Sequence, residues 1–376
     1  MTDLCDLYEP GALAALLTGE PAYRVRQVRA WLARGVDDPA AMTDLPVSLR
    51  ARLAAQSPAP PRVLRIVDAD GGLTRKVLLG LGDGEAVESV LMCYPRREHR
   101  AARATVCVST QAGCAMGCPF CATGQVGFRR QLTMGEIVRQ VTVIQRLLRD
   151  GTQDGTQDRE GVPVHVTNVV FMGMGEPLAN LEPTIAAVRW LHDVLGLSAR
   201  AITVSTIGLV PGIRRLALLA LPITLAVSLH APDDALRDDL VPPNRRHPLA
   251  ELLAACRDWR DATGRRLTFE YVLIDGVNAA IEQAEALALL VAGLHPHVNL
   301  IPMNPTPAVP WRAPEAHAQR AFAGVLERHG VTVTIRHNRG AVIDAACGQL
   351  YANHALGSGR TLPAARGAAD RVSARR

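Results

Sequence analysis

Six short runs of apolar and β-branched residues recur along this 376-residue chain: VTNVVFM (166–172), AITVS (201–205), ITLAVSL (223–229), LTFEYVLI (267–274), VNLIPM (298–303) and VTVTIR (331–336). Helix-like segments accompany them, among them GEIVRQVTVIQRLLRD (135–150), LEPTIAAVRWLHDVL (181–195), PLAELLAACRDWRDAT (248–263) and PEAHAQRAFAGVLERHG (314–330). Repeated βα units of this kind predict a parallel sheet, because each helix carries the chain back to start the next strand in the same direction. The reading is an α/β fold, a partial TIM-like (β/α) barrel over residues 107–350.

Upstream, residues 1–56 read as a helical domain. RVRQVRAWLARG (24–35) sets Val25, Val28, Trp31 and Leu32 on one stripe, with the arginines on the other faces. The proline-rich QSPAPPR (56–62) breaks this pattern. Over 57–106, RVLRIVD, LTRKVLLG, AVESVLM and the start of ATVCVST predict a small linking sheet. GTQDGTQDREG (151–161) lacks hydrophobic periodicity and reads as a solvated insertion, and the polar, basic tail (351–376) as disordered.

A chain of this length can bury a core without disulfide staples. MTDLCDLYEP does not have the form of a secretory signal, and LALLALPITLAVSL (216–229) is too short for a membrane span and holds a proline. A cytoplasmic protein with reduced thiols is expected, so clustered cysteines point to metal or catalysis. The net charge is +5, and of 41 basic residues only Lys76 is a lysine. Codon bias explains that lopsidedness without a nucleic-acid partner.

In GCAMGCPFCATG (113–124), the pattern Cys114-x3-Cys118-x2-Cys121 supplies three thiols. A structural zinc site takes four ligands, usually in two pairs; Cys107 or His99 would have to complete it, and that reading stays open. An iron–sulfur cube also asks for four thiolates. With three, one iron is left for an outside ligand. Polar groups then fall just after predicted strands, on the rim where βα barrels place their chemistry. In FMGMGEP (171–177) Gly175 would admit a ligand to the backbone and Glu176 would receive an ammonium; Ser205, then Ser228, Leu229 and His230, and finally Asn304 end later strands. Taken singly, the glycines could be a turn and the histidine a packed core residue.

The cysteine loop resembles that of the radical S-adenosylmethionine (SAM) superfamily. Further segments, CVSTQAGCAMGCPFCATGQVGF, VVFMGMGEPLAN, VSTIGLVPGI, AVSLHAPDD, FEYVLIDGVN, NLIPMNP and IDAACGQL, resemble the RlmN family of RNA adenine-C2 methyltransferases from about residue 24 to residue 350. The resemblance implies an RNA-associated N-terminal domain, a 4Fe-4S cluster on Cys114, Cys118 and Cys121, and SAM on the open iron and the rim residues. It implies 23S ribosomal RNA as substrate, in some members also transfer RNA, and a flavodoxin or ferredoxin as electron donor. It assigns Cys347 in AACGQL as the thiol that takes a methyl group from one SAM. An adenosyl radical from a second SAM then abstracts hydrogen from that methyl, and the methylene radical adds to the base. Glu88 in AVESV corresponds to the proton acceptor, and Cys107 in TVCVST to the thiol that releases RNA by forming a disulfide with Cys347. An exposed strand residue is the plainer reading of Glu88.

Cys5, Cys93 and Cys256 match no role and read as small hydrophobes. Ala341 and Val342 replace the polar or acidic residues common in relatives, and the CYPRREHRAARAT connection (93–105) is long. Competing readings are the related adenine-C8 methyltransferases, a zinc-stabilised RNA-binding protein without catalysis, and an activase for a glycyl-radical enzyme. A monomer is the default expectation.

Overall fold

The computed structural model describes residues 6–57, 61–98, 101–150, 163–219, 221–306, 308–336 and 340–350. The tandem GTQD segment, His99, Cys5 and the basic tail lie outside the described residues.

Three helices open the chain: α1 (Pro10–Leu16), α2 (Tyr23–Ala33) and α3 (Val47–Gln56). Val28 and Leu32 of the predicted stripe are fully buried, while Val25 and Trp31 flank them half-buried. The same core takes in Leu49 and Leu53 of α3 and continues through the barrel.

Four strands follow: β1 (Arg62–Ala69), β2 (Thr74–Gly80), β3 (Ala86–Tyr94) and β4 (Arg103–Cys107). They pair antiparallel in that order. A small pair, β5 (Gln111–Gly113) and β6 (Phe128–Gln131), brackets the cysteine loop and the short α4 (Ala122–Val126). The core strands are β7 (Asn168–Phe171), β8 (Ile202–Thr206), β9 (Thr224–Ser228), β10 (Leu267–Leu273), β11 (His297–Pro302) and β12 (Thr332–Ile335). β4 also pairs with β7, in parallel, and parallel pairing continues to β12. The linking strands are therefore continuous with the core, and a single ten-stranded sheet runs from β1 to β12.

Phe171, Ser205, Ser228, Glu270, Ile301 and Arg336, from β7 through the residue after β12, all line one cavity. On a flat sheet the outer two would lie roughly 24 Å apart, five strand spacings. Their convergence shows that the sheet curls. Among the described residues its two ends, β1 and β12, do not pair, and the strands form a partial barrel.

The crossovers are α5 (Met134–Asp150), α6 (Leu181–Asp193), α7 (Val210–Ala217), α8 (Asp234–Leu240), α9 (Leu249–Thr263), α10 (Ile281–Leu290) and α11 (Ala316–Arg328). In α5, Ile137, Val138, Val141 and Ile144 form the buried stripe. Its start is a reciprocal cap, with Thr133 Oγ1 accepting from the Glu136 N–H and the Glu136 carboxylate from the Thr133 N–H. The N-terminal helices dock on this layer: Arg139 of α5 pairs with Asp6 at 3.0 Å and Asp37 at 3.5 Å, and the Tyr8 ring packs on Trp190 of α6. Among the described residues no helix is long and apolar enough to cross a membrane.

Candidate active site

The cavity opens at the C-terminal ends of the parallel strands, as the rim argument requires. Cys114, Cys118 and Cys121 form one wall. The loop carrying them is held by Cys114 N–H to Gly127 O and Cys121 N–H to Cys118 O. Burial pushes the Cys114 thiol up to about 12 and the Cys118 thiol well above its ordinary range; the other thiols add to this, and Arg237 opposes it at Cys118. Among the described residues no three metal-ligating side chains are gathered closely enough for one ion. Three thiols on one loop are soft donors of the kind that iron–sulfur clusters and zinc both take. Arg237, itself buried, donates to the carbonyls of Ile207, Ser228 and Leu229 and to Asn244, and so ties together the loops after β8 and β9 beside these thiols.

Gly175 stands at φ +97°, and a Cβ there would come within 2.5 Å of the Gln111 side chain. Only glycine fits. The next residue, Glu176, is buried against the cavity and accepts from the N–H groups of Leu178 (3.0 Å) and Ile207 (2.9 Å). Burial raises its pKa to about 7, against those hydrogen bonds and one from Thr206. Ser205 and Ser228 line the cavity, whereas Leu229 serves through its backbone: its N–H donates to Glu270 O and its carbonyl accepts from Arg237.

His230 holds a left-handed φ of +63°, uncommon for a residue with a Cβ. Its Nδ1 accepts from the Val272 N–H at 3.0 Å, which leaves the ring proton on Nε2. Burial, aided by Arg237, pushes its pKa down to about 3, so the ring stays neutral. Asn304 also lines the cavity and gives its Nδ2 to the Cys347 carbonyl at 3.0 Å.

That bond is one of several fastening the Cys347 segment to the cysteine loop. Ala122 N–H donates to Gly348 O at 2.7 Å, and the Thr123 hydroxyl donates to Leu350 O. Cys347 faces the cavity and keeps access to solvent, although enough protein surrounds it that burial raises its thiol pKa; Arg336 opposes this. Cys107, at the end of β4, is buried. Burial and the neighbouring Cys347 push its thiol up to about 12, opposed by the Met172 N–H and Arg336. Both thiols are free, and the disulfide implied by the resemblance is not present.

Glu88 is 2% exposed, which corrects the reading of it as an exposed strand residue. It shares a sheet face with Cys107, since Val90 pairs with Cys107 and Glu88 stands two residues along. It does not line the thiol cavity. It lines an adjoining groove with Lys76, Arg65 and Asp344, and Lys76 Nζ lies 3.1 Å from its carboxylate. The Cys347 segment borders both recesses, with Asp344 on the groove and Cys347 on the cavity.

Sequence reasoning missed Arg336 and Glu270, whose charged ends approach to 3.5 Å in the cavity wall. The signal was available: a glutamate inside FEYVLI and an arginine closing VTVTIR put charges into strands otherwise built for burial. Cys93 and Cys256 pack in the core.

No protein-family profile matches the sequence. The crystal structure of a radical SAM methyltransferase from Sphaerobacter thermophilus matches with a TM-score of 0.85 and 48% identity, covering 93% of this chain and 99% of that one. The curled sheet and its three-cysteine rim thus define a radical SAM methyltransferase. A probable dual-specificity RNA methyltransferase RlmN of Frankia alni is 52% identical over 351 residues, 91% of this chain and 80% of its own length. The protein of the same name from a Roseiflexus species is 49% identical over 372 residues, 88% of this chain and 91% of its own. The chain belongs to the RlmN family of RNA methyltransferases.

Proposed function

We propose that this enzyme methylates carbon 2 of an adenosine in 23S ribosomal RNA, with transfer RNA as its second substrate, through a methyl-cysteine on Cys347. The observation that carries the reading is the pair of free thiols outside the cluster loop, one at the cavity mouth and one buried on the strand behind it. A zinc-stabilised RNA-binding protein has no use for such a pair.

Carbon 2 of adenine is electron-poor and has no lone pair to attack a methyl sulfonium, so polar transfer is closed to it. Cys114, Cys118 and Cys121 would hold a 4Fe-4S cluster which, reduced by a flavodoxin or ferredoxin, would supply with one SAM the hydrogen-abstracting radical, and a separate SAM would supply the methyl group. The chain's residues do the rest. Gly175 and Glu176 receive the amino end of SAM; neutral His230, with Ser205, Ser228, Leu229 and Asn304, completes the rim. Cys347 displaces the methyl from SAM as a thiolate, then carries it into a carbon–carbon bond with the base. Glu88 accepts the ring proton from the groove side. Cys107 attacks the Cys347 sulfur, so that the S–CH2 bond breaks toward the base, the carbon takes a proton and the two sulfurs end as a disulfide, while the unpaired electron left by the radical addition would return to the cluster.

The test is an anaerobic reaction of reconstituted enzyme with SAM, reductant and unmodified ribosomal and transfer RNA fragments. Mass spectrometry of the nucleosides should show 2-methyladenosine from both RNAs. The 8-methyl isomer, or no methylated adenosine, would refute the reading.

The Glu176 carboxyl gives a further expectation. Its raised pKa means that the charged form able to meet an ammonium is present above about 7 and is lost below it. SAM binding should tighten from pH 6 to 7.5 in the wild type and be flat across that interval in Glu176→Gln. Calorimetric titration reads both, and equal pH slopes in the two proteins would remove Glu176 from the ammonium site.

A further inference from the structure

One lysine stands against 40 arginines in this chain. On a solvated face the two are exchangeable, but a compact ammonium and a planar guanidinium are not equivalent where space is fixed and partners are placed. Lys76 occupies such a place. Its Nζ lies 3.1 Å from Glu88 Oε1 and donates to the Asp344 carbonyl at 3.2 Å, and its side chain is only 10% exposed. Asp344 is three residues before Cys347 and holds a left-handed φ of +52°, a strained turn for a residue with a Cβ. The same region of β2 makes a second tie to this segment. Asp70 Oδ2 accepts both from the Thr74 hydroxyl and from the Gly340 N–H.

We propose that Lys76 is a positioning residue whose ammonium ties the Glu88 carboxylate to the Asp344 carbonyl, fixing the Cys347 segment relative to the proton acceptor. This rests on the reading of Glu88 as that acceptor. The ammonium serves two ends of one reaction. It steadies the strained turn that delivers the methyl-bearing sulfur, and it holds in place the carboxylate that takes the ring proton. Among the described residues, other groups facing Glu88 include Arg65 from β1 and Asp344 from the segment itself, with Cys107 of β4 on the same sheet face.

The test compares Lys76→Met, Lys76→Arg and Glu88→Gln in the cluster-loaded enzyme, with two readouts. Hydrogen exchange of the 340–350 amides, without RNA, reports the tie. Decay of the covalent RNA–protein adduct in a single turnover, with protium or deuterium at carbon 2 of the adenine, reports the acceptor. Lys76→Met should speed exchange across 340–350, slow adduct decay about tenfold, within the range of a general base, and raise the isotope effect of deuterium at carbon 2, because removal of the ring proton then limits decay. Lys76→Arg keeps the charge and should return the rate and the isotope effect toward their wild-type values. Wild-type exchange in Lys76→Met overturns the tie. Lost methylation with an unchanged isotope effect in both lysine variants reduces Lys76 to packing and overturns its link to the acceptor. Wild-type decay in Glu88→Gln overturns the acceptor reading by itself, and the exchange readout still judges the tie.

Discussion

Cys347→Ala should lose adenosine methylation by more than ~10⁴-fold, the scale on which loss of a covalent nucleophile acts, while binding a full complement of iron. The structure separates these two outcomes. The Cys347 segment is anchored through its backbone, by Asn304 on the Cys347 carbonyl and Ala122 on the Gly348 carbonyl, and none of those bonds uses the sulfur. Cys347 is also exposed, so removing its sulfur leaves no core cavity. The melting temperature should move by no more than a surface substitution moves it, about 0.5 kcal/mol in stability. Three measurements decide: nucleoside mass spectrometry for the product, iron and sulfide per chain, and peptide mass spectrometry of the 340–350 region, where the wild type should carry an added methyl and the variant none. Measurable 2-methyladenosine from the alanine variant would end the methyl-cysteine mechanism, whatever the cluster content.

The strands were legible because their physics is local. Runs such as AITVS and VTVTIR are β-branched through their length, and the structure starts and ends them within two residues of where the pattern does, although AITVS is mostly buried and VTVTIR, at the sheet edge, is not. The rim residues followed, since a residue just past a barrel strand has nowhere to point but the mouth. Helices were legible only where one face is apolar. α10 (IEQAEALALL) is apolar on several faces, and the seven-residue α8 (DALRDDL) is mostly polar and capped by Asp233, so neither gives a clean stripe. The contacts that assemble the site were not legible at all. Ala122 meets Gly348 through backbone atoms, and Lys76 meets a backbone carbonyl 268 residues away. A carbonyl carries no residue signature. Glu88 shows the same limit from the other side: alternation in AVESV allows either face, and only pairing of β3 with both β2 and β4 decides that its carboxylate is buried.

Cys107→Ala should stop the reaction one step later, with RNA joined to the protein. Cys107 lies at the end of β4, where its backbone pairs with Val90 on one side and Val170 on the other, and alanine keeps both pairings. The cost is a small loss of buried volume, about 1 kcal/mol. Methyl acceptance and addition to the base use Cys347, so both should proceed. Release needs a thiolate at Cys107, and its surroundings make that anion scarce. With a folded pKa near 12, the thiolate is fully present only above that value and amounts to roughly 10⁻⁴ of the thiol at pH 8. Arg336 is the cation that opposes this burial at both Cys107 and Cys347. In the wild type, adduct release should therefore quicken as pH rises from 7 to 9, and in Cys107→Ala it should be absent at every pH. Denaturing gels should show a band shifted by the mass of the RNA that survives dithiothreitol, because the link is a carbon–sulfur bond and not a disulfide. Free methylated RNA from this variant would mean that some other group opens the Cys347 sulfur, and the buried thiol behind the cavity would then need a different explanation.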